Sequence, residues 1–140
     1  MKKYLNREQS KELIELGISP DKASLVSWKS IKDWQGNSIL GKEQIAMKPF
    51  RAAVMGFEDF DCQDIFTIGD LIALLPKYIN DDQLPYNLYI EPYTGNEGWI
   101  VSYDDKSYND TFKYYHNNEL VFALFEMVKY CITNKLITYQ

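Results

Sequence analysis

The chain has 140 residues, 46% hydrophobic, 15% aromatic and 25% charged, with 7 Gly and 5 Pro. That is the makeup of one folded α+β domain spanning 1–140, able to bury roughly 70% of its unfolded surface without disulfides or metals, and too apolar for a disordered segment. The net charge of −5 is uneven: residues 1–48 hold nine Lys/Arg against six Asp/Glu, and residues 49–140 hold six against fourteen. So acidic a larger part argues against nucleic acid as partner, because phosphate binding needs a basic stripe.

No apolar run approaches the ~20 residues of a membrane span, and the charged opening Met1-Lys2-Lys3 predicts no secretory leader. Cys62 and Cys131 stand far apart without a CxxC pair, which fits a cytoplasmic protein with two free thiols.

The first element is a short helix. Asn6 can cap it, with Gln9 three residues on as in a capping box and Leu5 as the hydrophobic staple; Gly17 ends it and Ile18 folds back. Ser19-Pro20-Asp21 turns the chain. Ala23 to Lys32 reads as a strand, with Val26 and Trp28 alternating against Ser27 and Lys29. Gly36-Asn37 marks a turn, and Ile39 to Met47 reads as a second short strand. From Pro49 to Phe66 the pattern fades into an acidic cluster, Glu58, Asp59, Asp61 and Asp64, which reads most simply as a solvated loop.

Thr67-Ile68-Gly69-Asp70 is a helix start, and Ile68, Leu71, Ile72, Leu75 and Ile79 share one face of a helix near 67–79. Pro76 should end or bend it near Leu75, since it lacks an N–H and restricts its predecessor. Three strand-like runs follow, Tyr86 to Tyr93, Trp99 to Asp104 and Thr111 to His116. Their short joining loops make an antiparallel meander. The last helix, about Asn118 to Asn134, is apolar over more than half its circumference and should touch both the sheet and another helix. The expected fold is therefore an antiparallel sheet of three to five strands, covered on one face by the helices near 67–79 and 118–134.

Motifs that carry chemistry are scarce. His116 is the sole histidine, at a strand–helix junction. A half-buried structural role is the plainer reading, and a small enzyme or ligand-binding protein using His116 with nearby Asp or Tyr side chains is the alternative. The acidic cluster departs from a calcium loop in three places, with Gln63, Asp64 and Asp70 where Asp/Asn, Gly and Glu belong. Two distant cysteines and one histidine fall short of a zinc set. No phosphate-cradling glycine loop, GxSxG or HExxH occurs, so no cofactor or metal is expected.

Tyrosine is the unusual residue. Nine aromatics crowd Tyr86 to Tyr115, explained either by strand propensity and core packing or by an exposed binding surface. Alternation with the apolar set inward assigns Leu88, Ile90, Val101, Phe112 and Tyr114 to the core. It sends Tyr89, Glu91, Tyr93, Ser102, Asp104, Lys113 and Tyr115 outward, and exposes Ile100. A patch of Tyr89, Tyr93, Ile100 and Tyr115 would then engage a protein partner or a second copy of the chain.

The segments Lys11-Glu12-Leu13-Ile14-Glu15-Leu16-Gly17-Ile18-Ser19-Pro20, Phe66-Thr67-Ile68-Gly69-Asp70-Leu71-Ile72-Ala73-Leu74-Leu75-Pro76 and Ala123-Leu124-Phe125-Glu126-Met127-Val128 span most of the chain in order. On them the chain is similar to small uncharacterised proteins of Bacteroides-type gut bacteria and their phages or mobile elements. The resemblance implies a compact mixed fold and no site residue. By analogy it also implies a setting in which small proteins bind and modulate host factors.

Overall fold

In the computed structural model, residues 1–33, 35–48, 60–81, 84–95 and 97–137 are described. Helix α1 (Arg7–Glu15) opens on a reciprocal cap: Gln9 N–H donates to the Asn6 side chain at 2.8 Å, and Asn6 N–H donates to the Gln9 side chain at 3.1 Å. Leu5 and Leu13 are fully buried beneath it, and Gly17, at φ +115°, takes the left-handed turn that closes the helix. A single 3₁₀ turn, Pro20–Lys22, leads into the first sheet.

That sheet is antiparallel, ordered β2-β1-β3, from β1 (Leu25–Ser30), β2 (Gln44–Met47) and β3 (Phe60–Ile65). β1 and β2 are shorter than the sequence suggested. β3 is a correction, because the acid-rich stretch was expected to be a loop. Pairing with β1 explains how a strand tolerates its carboxylates. Asp61 meets the Arg7 guanidinium at 2.9 Å, and Asp64, buried, lies 3.7 Å from Lys48 Nζ. Glu58 and Asp59 lie outside the described residues.

Helix α2 (Ile68–Leu74) has its own reciprocal cap between Thr67 and Asp70. The other hydrogen bonds of Asp70 come from the Ser24 N–H at 2.8 Å and the Ser24 hydroxyl, which tie the helix start to the entry of β1. The helix stops before Pro76, as that residue requires, but the reading of a helix to residue 79 is corrected. Tyr78–Asp81 is a strand, β4, and Ile79 is buried from the sheet.

The second sheet is an antiparallel meander ordered β4-β5-β6-β7, with β5 (Leu84–Pro92), β6 (Trp99–Asp105) and β7 (Asp110–Asn117). Helix α3 (Leu120–Thr133) lies on β6 and β7 and packs on α2, as its wide apolar arc requires. One hydrophobic cluster takes Leu13 from α1, Leu71 from α2, eight residues of α3, and Tyr86, Val101 and Tyr103 from the meander. Helix α3 therefore covers the Val101 side of this sheet, while α2 packs on α3 and α1 packs on β3. Tyr103, fully buried, donates its hydroxyl to the Pro76 carbonyl at 2.7 Å, so the bend after α2 is fixed by the sheet.

A bulge in β7 overturns part of the expected alternation. Asp104 pairs with Thr111, but Tyr103 pairs with Lys113, leaving Phe112 as an inserted residue. From there each side chain of β7 switches face. Phe112 packs on Tyr86, with ring centroids 5.3 Å apart. Tyr115, expected outside, lies opposite Val101 and packs on Tyr130 of α3 at 6.4 Å. Lys113, also expected outside, sets its ammonium over the Tyr115 and Tyr130 rings. Tyr114, expected in the core, is 60% exposed.

Candidate functional site

The face of the meander turned away from the helices is read directly from strand register. Three cross-strand rows cover it: Asn87–Asp104–Thr111, Tyr89–Ser102–Tyr114 and Glu91–Ile100–His116. Tyr78 stands beside Asn87 on β4 and is 58% exposed. Of the residues singled out from sequence, Tyr89, Tyr93 and Ile100 share this face. Tyr115 does not, and its place is taken by Tyr114.

Ser102 sits at the centre of the middle row and is only 4% exposed, because the two flanking tyrosines shade it. Its hydroxyl donates to Asp104 Oδ2 at 2.9 Å. Lys106, from the turn after β6, folds back over this row. Its ammonium lies 4.6 Å above the Tyr89 ring, 3.3 Å from Asp104 Oδ2 and 3.5 Å from Glu91 Oε1. The Asp104 hydrogen bond, reinforced by the charges of Glu91 and Asp104, outweighs desolvation and raises the Lys106 pKa, so the cation persists over the whole neutral range. Lys106 and Glu91 are exposed, so these pairs orient the tyrosine more than they stabilise the fold.

His116 is exposed on this face and is not the half-buried residue expected. Its ring lies 4.4 Å from the Tyr93 ring, and its Nε2 is 3.1 Å from the Glu97 carbonyl oxygen. Those contacts hold the loop between β5 and β6 against β7. Neither is the nucleophile or orienting carboxylate that a catalytic histidine uses. Among the described residues no group of three or more His, Cys, Asp or Glu side chains converges on a metal-sized point.

Tyr78, Lys106 and Tyr114 were missed from sequence. The signal for Tyr78 was present, since Pro76 permits a new element two residues on. For Tyr114, two adjacent tyrosines offer alternation no preference between them, and only the pairing partner chooses. Lys106 reaches Tyr89 across a strand connection that no local pattern encodes.

Among the described residues no helix is long and apolar enough to cross a membrane. No family model matches the chain, and neither the curated proteins nor the solved structures give a match.

Proposed function

We propose that the protein is a non-catalytic binding module that holds a protein partner against the outer face of its four-stranded sheet. The observation that carries this reading is the one-sided placement of the helices. Helix α3 covers the Val101 side, and among the described residues no helix lies on the face that holds Tyr89, Tyr93, Ile100 and Tyr114. Tyrosines with an aliphatic centre and a charged rim are the composition of an interface.

On that face Glu91 and Asp104 stand against Lys106, so the fitting partner presents aliphatic or aromatic side chains with Lys or Arg to meet the surplus carboxylate. The same surplus on two copies would repel, which favours a heterologous partner over a dimer. The resemblance to proteins of phages and mobile elements would make that partner a host factor.

The double variant Tyr89→Ser/Tyr114→Ser tests the reading. Circular dichroism should show an intact fold, while capture of a partner taken by the wild-type protein should fall at least tenfold. A folded double variant that retains every partner at wild-type yield would overturn the proposal. So would a wild-type protein that only self-associates in sedimentation velocity.

A further inference from the structure

Away from the meander strands, the first seven residues form one wall of a cleft of about 440 Å³, within the usual range of small-molecule sites. The segment is anchored at both ends. Leu5 N–H donates to the Phe66 carbonyl at 3.0 Å, and the Lys2 backbone N–H donates to Glu119 at 2.8 Å, just before α3. Ile45 and Phe122, both half-buried, give the cleft an open apolar wall above the fully buried Leu5 and Ile65, while Lys2, Lys3 and Arg7 supply charge.

The polar end is built from the interior outward. Ser27 on β1 is fully buried, accepts Arg7 Nη1 at 2.7 Å, and donates to Glu43 Oε2 at 2.5 Å. The guanidinium also meets the Asp61 carboxylate at 2.9 Å through Nη2 and the Asp61 carbonyl oxygen at 3.4 Å through Nη1. Those contacts fix its plane, and none of them uses its Nε–H, which stays available among the described residues. Arg7 is charge-paired with Asp61, so at the cleft the ammonium groups of Lys2 and Lys3 stand against one further carboxylate, Glu43, an excess of positive charge in a chain of net charge −5.

From this arrangement we infer that the cleft binds a small organic anion with an apolar body. An inorganic anion would leave Ile45 and Phe122 unused, and a neutral hydrocarbon would leave Lys3 and Arg7 unused. A carboxylate on an aliphatic chain satisfies both ends: the head lies among Lys2, Lys3 and Arg7, and the chain lies along Ile45 and Phe122. The inference is independent of the outer sheet face, because none of the cleft's lining residues belongs to the meander.

The test is calorimetric titration of the full chain with sodium octanoate and, separately, with octanamide, together with backbone amide shifts. Octanoate should bind at least tenfold more tightly than octanamide, with shifts concentrated at residues 2–9, 43–45 and 122. Lys3→Glu should weaken octanoate about tenfold with little change for octanamide. Ile45→Asp should abolish binding of both. Tyr89→Ser/Tyr114→Ser should leave octanoate affinity unchanged, which separates this site from the proposed partner face. The inference is overturned if octanoate shows no saturable binding, if octanamide binds equally well, or if the shifts lie elsewhere. Should Ile45→Asp fail to fold, the exposed Lys3→Glu variant and the octanoate-to-octanamide ratio still decide between binding and no binding.

Discussion

Replacing Tyr115 by Ala and, separately, Tyr114 by Ala sets the bulge in β7 against simple alternation. The two residues are neighbours of the same type, so strand propensity and unfolded-state effects nearly cancel between the variants. Tyr115 faces α3 and is half-buried, with its ring edge-on to Tyr130 at 6.4 Å. Covering roughly 100 Å² of its apolar surface is worth about 2.5 kcal/mol, and the ring pair adds about 0.5 kcal/mol.

Tyr114 is 60% exposed. Its loss should cost about 1 kcal/mol, from strand propensity and the contact it makes across Ser102. With a urea slope of about 2 kcal/mol/M for a chain of this size, the midpoint should fall by about 1.5 M for Tyr115→Ala and by about 0.5 M for Tyr114→Ala. The assay is urea unfolding followed by far-ultraviolet circular dichroism. Equal shifts, or a larger one for Tyr114→Ala, would mean that Phe112 is not the inserted residue and that β7 faces the other way.

Two further outcomes follow from the same packing. Burial pushes the Cys131 thiol from 9.0 up to about 11, Tyr115 is raised by burial, and Lys129 is raised by its hydrogen bond to Glu12. Each folded state holds its proton longer than the unfolded chain does. Stability is therefore full below pH 9 and falls through pH 11, with Cys131 contributing about 3 kcal/mol of the loss. Cys131→Ala should visibly flatten the dependence of the urea midpoint on pH between 9 and 11, and an unchanged slope would assign the alkaline loss to other groups. At Gly98, φ is +103° and an added Cβ would lie 2.6 Å from the Asn117 carbonyl oxygen, whereas Gly95, at φ +80°, has open space around it. Gly98→Ala should cost at least about 2 kcal/mol and Gly95→Ala about 1 kcal/mol in thermal or urea unfolding, and equal costs would contradict the close approach of the hairpin loop to β7.

Local chemistry alone determined several parts of this protein. The caps at Asn6/Gln9 and Thr67/Asp70 lie three residues apart and need only each other. The stop at Pro76 follows from a missing N–H, and the apolar arc of α3 is wide enough to demand two partners whatever they are. Three of the meander's four strands, β5 to β7, were legible for the same reason, since their turns and strand runs are adjacent in sequence.

Tertiary structure decided what depends on distant pairing. The segment holding Asp61 and Asp64 became β3 because β1, Arg7 and Lys48 lie beside it, and no neighbouring residue announces those partners. Tyr78–Asp81 joined the sheet because β5 offered an open edge after the bend that Tyr103 holds. The exchange of Tyr114 for Tyr115 turned on one inserted residue opposite Tyr103 and Asp104. Side-chain direction in a strand has a period of two, so a single extra residue reverses every position after it. The alternation of β7 is the same with or without that insertion, and only its hydrogen-bonded neighbour distinguishes the two.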